Sequence, residues 1–163
     1  GLLTASLIRE SIAFAREHNV PVTVDPKASH FFEYQQATLF KPNLREAEYA
    51  LQTELNQNAE VEQACNDLKQ KLDAESILIT RGSQGMTLKD GDEQAVHITT
   101  RPRRISDVSG AGDTVISTMT LAMISGLNKE NAARLATRAA EVVVGRVGVV
   151  PITPEDLLNG ENS

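Results

Sequence analysis

The sequence predicts an α/β fold. Two observations carry this. Amphipathic helical segments alternate with short apolar strands along most of the chain, the pattern of a sheet flanked by helices. One strand, Ser76–Thr80, is apolar at Ile77, Leu78 and Ile79 in succession, as a strand buried on both faces would be.

Each element has its own signal. Leu3, Leu7, Ile8, Ile12 and Ala15 recur at helical spacing over residues 3–18, with Arg9, Glu10, Arg16 and Glu17 filling much of the other face. Val20, Val22 and Val24 alternate and predict a strand ending at Asp25-Pro26. Residues 38–41 form a second short strand stopped by Pro42, and a helix follows over residues 44–51. Residues 56–58 are expected as a loop. Val61, Ala64, Cys65, Leu68 and Leu72 then line one face of a helix over residues 61–72. After the buried strand, residues 85–89 and 94–99 predict a hairpin turned by Asp90-Gly91-Asp92. A helix over residues 111–124 ends at Gly126, a natural left-handed terminator. Asn128 caps the next helix, over residues 129–144. The last begins with Thr153 as cap, Pro154 in its first turn and Asp156 three residues after the cap.

Composition narrows the function. The chain has 163 residues, 40% hydrophobic and 23% charged, as an ordered domain would. A chain this long can bury roughly 70% of its unfolded surface. Its formal charge of −6 argues against a general nucleic-acid-binding surface. No apolar run approaches the ~18 residues of a membrane span, and no basic stretch precedes the first apolar residues. The single cysteine, Cys65, excludes an internal disulfide and a Cys-rich zinc site, and fits a reducing, cytoplasmic setting. His18, His30 and His97 lack zinc-ligand spacing. The chain has no initiating Met and opens in the body of a helix, as a piece of a longer protein would.

In α/β folds, ligands sit beyond the carboxyl ends of parallel strands. The most informative stretch is Asp107-Val108-Ser109-Gly110-Ala111-Gly112-Asp113-Thr114. Gly110, Ala111 and Gly112 present little side chain, so a ligand can approach the backbone. The helix that starts there offers free N–H groups and the positive end of its dipole, a phosphate site. Asp113, in the first turn, could take a proton from an attacking hydroxyl. A glycine turn with an acid that only favours the dipole is the plain alternative. Val115 stands where a dinucleotide fingerprint needs its third small residue, and no Gly-Lys-Ser/Thr is present for a Walker loop.

Residues 107–117 resemble the C-terminal signature of the ribokinase-like, or PfkB, family of carbohydrate kinases. The resemblance implies that Gly110, Ala111 and Gly112 form the anion hole and that Asp113 is the catalytic base. Thr118 departs from the family's Gly or Ala. Asn43-Leu44-Arg45-Glu46 matches the family's Asn-x-x-Glu motif. The implied role of Asn43 and Glu46 is to organise Mg²⁺ through water. An ordinary helix cap is the alternative. Thr80, Gly82 and Gly85 match a Thr-x-Gly-x-x-Gly segment that contacts nucleotide phosphates in relatives, where a plain turn is the alternative; Arg81 is either a phosphate contact or a solvated side chain. Asp25 and Lys27, in Asp25-Pro26-Lys27, are implied near the acceptor, where a strand-ending turn and a surface lysine are the plain alternatives.

The same tripeptide, with Gly85-Met86 and residues 142–148, is similar to the family branch acting on heptose 7-phosphate in lipopolysaccharide core synthesis. Fructokinase- or ribokinase-type chemistry and a nucleotide-binding module without its own activity are the alternatives. Thr137-Arg138 stands where relatives read Asn-Ala. Arg138 and Glu141 put charges into a small-residue stretch, whose alternative is an exposed charged face. The implied fold is a three-layer αβα, Rossmann-like sheet, of which the whole chain (residues 1–163) is the C-terminal, nucleotide-binding part, without the first strands and lid. The implied ligands are ATP, Mg²⁺, an optional monovalent cation and a sugar phosphate. The implied partner is a second copy or the missing half.

Overall fold

The computed structural model describes residues 3–101, 107–148 and 150–158. The elements run α1 (Ala5–Glu17), β1 (Thr23–Val24), β2 (Leu39–Phe40), α2 (Leu44–Leu51), α3 (Asn58–Leu72), β3 (Ser76–Thr80), β4 (Met86–Asp90), β5 (Val96–Ile98), α4 (Ala111–Ile124), α5 (Lys129–Val144) and α6 (Pro154–Leu158). The strands form a five-stranded sheet in the order β1-β2-β3-β4-β5. β1 pairs parallel to β2, with Val24 opposite Phe40, and β2 parallel to β3, with Phe40 opposite Ile77. β4 returns beside β3: the Gly91 amide donates to the Glu75 carbonyl and the Ser76 hydroxyl to Asp90. The five-residue links 81–85 and 91–95 are too short for a parallel crossover, so β3, β4 and β5 run antiparallel in turn. The expected α/β class is what forms, a mixed five-stranded sheet with helices.

The chain divides into two compact units. The first comprises Gly1–Arg81 and Thr87–Val96. Its core joins Phe31, Phe40, Val61, Leu68, Leu72, Ile77 and Ile79. The Phe31 and Phe40 rings meet edge to face with centroids 5.0 Å apart, an arrangement aromatic quadrupoles favour. In α1, Thr4 caps the Leu7 amide, and Ile8 and Ile12 turn inward. In α2, Asn43 and Glu46 form a reciprocal capping box. α3 begins at Asn58, three residues earlier than hydrophobic periodicity alone predicts. The reason is polar: the Glu60 carboxylate accepts from the amides of Asn56 (2.6 Å) and Gln57 (2.8 Å), so the first turn closes before the first apolar residue.

The second unit comprises Gly82–Met86 and His97–Ser163. Here α4 packs on α5. Val115, Met119 and Ala122 of α4 are buried, as are the small Ala132, Ala133, Ala136 and Ala139 of α5. Burying Met119 alone is worth about 1.5–3 kcal/mol. The alternative of an exposed charged face does not hold at Glu141. Glu141 is only 7% accessible, and its carboxylate accepts from the Arg101 amide at 2.7 Å. A buried carboxylate of this kind needs such a donor.

Candidate functional site

In the first unit, the carboxyl ends of the three parallel strands bring Asp25, Asn43 and Thr80 to one sheet edge. The Lys41 amide donates to the Val24 carbonyl at 2.8 Å, and the Thr80 amide donates to Pro42 at 3.0 Å. Asn43 and Thr80 form a parallel bridge beyond the named strands. Asn43 and Glu46 hold each other: the Asn43 amide donates to Glu46 Oε2 at 2.8 Å, and the Glu46 amide donates to Asn43 Oδ1 at 2.9 Å. Both line a cavity of about 210 Å³ with Ala28, Phe31, Arg45 and Tyr49. The box leaves Glu46 Oε1 as an acceptor. That suits a hydrated hard cation held through its waters, because magnesium keeps much of its water. Among the described residues, no cluster of three or more His, Cys, Asp or Glu could hold a metal directly.

Arg81 is half-buried: Nη1 donates to Asn58 Oδ1 at 2.8 Å, and Nε is buried. Lys27 is exposed, whereas Lys41, which sequence reasoning passed over, is 2% accessible and paired with Asp25 Oδ1 at 3.1 Å. Lysine between an apolar strand and a proline carries no signal of burial, since lysines are almost always exposed unless paired.

The second unit holds both glycine turns. Gly82 (φ +58°) opens a 3-10 turn over Gly82–Gln84, and Gly85 (φ +84°) closes it, its amide donating to the Gly82 carbonyl at 3.0 Å. The two glycines differ sharply. A Cβ on Gly82 would meet nothing within 4 Å; on Gly85 it would stand 1.9 Å from the Ile98 carbonyl oxygen. Gly85 is thus demanded by packing against the end of β5, and Gly82 only by its left-handed backbone.

Gly110 is the N-cap of α4, with φ +78° and no side chain capping the helix. The first-turn amides of Gly112 and Asp113 have no intrahelical acceptor, and both residues are exposed. An uncapped helix start with open amides fits a phosphate. Asp113 stands in that same turn. What shapes the turn is a residue to which sequence reasoning gave no role, Asp107. Its Oδ1 accepts from the Ser109 amide at 2.9 Å, and its Oδ2 from the Gly148 amide at 3.2 Å. Backbone and side-chain hydrogen bonds from Ser109, then that from Gly148, hold its carboxyl below the ordinary carboxylate range. The Asp-x-Ser spacing was the available signal, since Asp side chains commonly bond the amide two residues on.

Comparison with known proteins follows the same lines. The model of the pfkB family carbohydrate kinases matches residues 3–156. The bifunctional protein HldE of Geobacter sulfurreducens is 40% identical over 158 residues, covering 97% of this chain and 32% of that protein. HldE of Rhodopseudomonas palustris is 39% identical over 157 residues, covering 96% and 32%. Among solved structures, phosphofructokinase-2 from Escherichia coli in complex with potassium superposes with a TM-score of 0.86 at 21% identity, covering 96% of this chain and 51% of that one. Ribokinase from Arabidopsis thaliana complexed with ribose and ATP gives 0.82 at 22% identity, covering 95% and 52%. The fold is therefore ribokinase-like. The chain spans about a third of the curated relatives and half of these solved kinases. The chain belongs to the pfkB family of carbohydrate kinases.

Proposed function

We propose that this chain is the nucleotide-binding and catalytic-base part of an ATP-dependent sugar-phosphate kinase. Its acceptor is heptose 7-phosphate, converted to heptose 1,7-bisphosphate for the lipopolysaccharide core. One observation carries the reading: the α4 start is capped by left-handed Gly110 without any side chain, with Asp113 in the same turn. The open amides of Gly112 and Asp113 neutralise charge on the transferring phosphoryl group. Asp113 takes the proton of the attacking hydroxyl. Gly110 and Ala111 keep side chains out of the phosphate's way. In the first unit, Asn43 and Glu46 orient water around Mg²⁺, and Thr80 completes that sheet edge beside them. Magnesium, when bound, screens the phosphate charge. Asp25, held by Lys41, is offered to the acceptor side.

The heptose assignment rests on Asp25-Pro26-Lys27 and on the similarity to HldE proteins. A monovalent cation as an additional ligand is supported by the potassium complex of the solved relative. A second reading has its own support. The chain spans only about half of the solved kinases, so by itself it would bind nucleotide and depend on a further segment or second copy for turnover. No helix among the described residues is long and apolar enough to cross a membrane, which accords with a cytoplasmic kinase.

The test is a calorimetric titration of this chain with ATP and Mg²⁺, followed by turnover of the full-length protein on a panel of acceptor sugars. Saturable ATP binding and preference for heptose 7-phosphate support the first reading. Binding without turnover on any sugar supports the second. A folded chain that binds no ATP refutes both.

A further inference from the structure

The second unit contains a line of contacts that starts far along the chain from the phosphate turn and ends on it. Arg146 lies two residues past α5, and its guanidinium forks onto Asp156 of α6: Nη1 donates to Oδ2 at 3.2 Å, and Nη2 donates to Oδ1. Asp156 is itself fixed, since its Oδ2 accepts from the Thr153 amide at 2.9 Å and its own amide donates to the Thr153 hydroxyl. A second arginine, Arg138 of α5, donates to the Leu157 carbonyl at 2.6 Å, so α6 is held at two points. Two residues beyond Arg146, the Gly148 amide donates to Asp107, whose other oxygen takes the Ser109 amide. The Asp107 amide in turn donates to Val144 at the end of α5. Ser109 is next to Gly110, the α4 cap.

Partly exposed ion pairs contribute about 0–1 kcal/mol to stability. Arg146 and Asp156 are both partly exposed, so losing the ion pair should cost the unit little stability. What the pair does instead is restrict geometry, because a bidentate fork fixes direction as well as distance. We propose that Arg146 and Asp156 are positioning residues for the phosphate-binding turn, acting through Gly148 and Asp107 to hold Ser109 and Gly110 in the conformation that opens the α4 amides. This rests on the reading of that turn as the phosphate site, but the mechanical coupling is testable apart from it.

The variants are Arg146→Met, which leaves the Thr153–Asp156 cap intact, Asp156→Asn, and the charge reversal Arg146→Asp with Asp156→Arg. Two readouts are taken on this chain: hydrogen exchange of the segment 107–113, and affinity for Mg·ATP by calorimetry. The expected result for Arg146→Met is at least about fivefold faster exchange over residues 107–113 and at least about fivefold weaker ATP binding. Unfolding midpoint and circular dichroism should be little changed, and the reversed pair should recover part of both losses. A merely structural pair would lower the midpoint and leave exchange at 107–113 unchanged at temperatures below it. Unchanged exchange in folded Arg146→Met overturns the proposal whatever happens to ATP. Faster exchange in a chain that never binds ATP upholds the coupling and refutes the kinase reading instead. Should Asp156→Asn fail to fold, Arg146→Met decides alone.

Discussion

Replacing Gly85 by alanine separates packing from ligand binding at a motif glycine. Two costs act together. The residue sits at φ +84°, a region that costs an L-amino acid about 1–2 kcal/mol. Its new Cβ would also stand 1.9 Å from the Ile98 oxygen, 2.9 Å from the Ile98 carbonyl carbon and 3.0 Å from Thr99 Cα. All three are backbone atoms, so no side chain can swing away; the end of β5 must move. Overpacking of this kind costs about 1–3 kcal/mol. The sum is about 2–5 kcal/mol. At roughly 3 °C per kcal/mol for a chain of this length, the midpoint of thermal unfolding should fall by roughly 6–15 °C. Gly82→Ala is the control: the same kind of backbone (φ +58°) with nothing within 4 Å, and so a loss of only about 1–2 kcal/mol. Differential scanning calorimetry of the two variants reads the difference. A Gly85→Ala chain that melts within about 2 °C of the parent would refute the packing account. If it had also lost ATP binding, Gly85 would be a ligand contact and nothing more.

Asp113→Asn in the full-length kinase should cut turnover by roughly 10²-fold or more while sparing ATP affinity; near-normal turnover would remove Asp113 as base. Cys65 is buried, and burial first, then the nearby Glu62 charge, push its thiol from 9.0 up to about 12. Iodoacetamide at pH 8.5 should therefore label it only as the chain unfolds, and the stability this protonated thiol contributes is complete below about 9 and shrinks as pH climbs toward 12. At the other end of the scale, Asp107 and Asp156 are both held below their ordinary 3.8, by Ser109 and Gly148 amides in one case and chiefly by Arg146 in the other. Their ionised forms support the fold above that value, and the support is lost as pH falls from 3.8 through the lowered values. The urea midpoint should accordingly drop on acidification, with a smaller drop in Asp107→Asn; an equal drop would show that other carboxylates dominate.

Where the local chemistry was complete in a few residues, the sequence was readable. The limits of α2, β3, α4 and α5 follow from Asn43, from Ile77 to Ile79, from the Gly110 turn with Gly126, and from Asn128. Each signal lies within one turn or strand of the element it defines. Other features depend on partners distant in sequence and left no such mark. Glu141 is buried because an amide 40 residues away, that of Arg101, needs an acceptor. Lys41 is buried because parallel pairing of β1 and β2 brings Asp25 beside it. β1 is only Thr23–Val24; Val20 completes the alternation but is exposed outside the strand. The turn at residues 110–113 is legible from its own glycines and first-turn acid, whereas Asp107's grip on Gly148 requires the far end of α5 to be in place.

The double role assigned to Asn43 and Glu46 admits a clean separation, because the two roles use different properties of the same carboxyl group. The cap needs only an acceptor at Glu46 Oε2, 2.8 Å from the Asn43 amide. Water around a cation needs the negative charge. Glu46→Gln preserves the first and removes the second. Its cost to stability is the lost charge–dipole interaction at a helix start, about 0.3–1 kcal/mol, while Asn43→Ala loses the cap itself, about 1 kcal/mol. The two variants should therefore melt within a few degrees of each other. Their response to Mg²⁺ should not match. Groups that orient a metal's surroundings without ligating it typically alter its affinity by about 10–100-fold, so the Mg²⁺ concentration that half-supports ATP binding should rise about tenfold or more in Glu46→Gln. Asn43→Ala would shift it too, through the displaced carboxylate, but with Glu46 still charged the shift should be smaller. An unchanged Mg²⁺ requirement in a folded Glu46→Gln chain would reduce the pair to a capping box, and the cation would then have to be held by residues elsewhere.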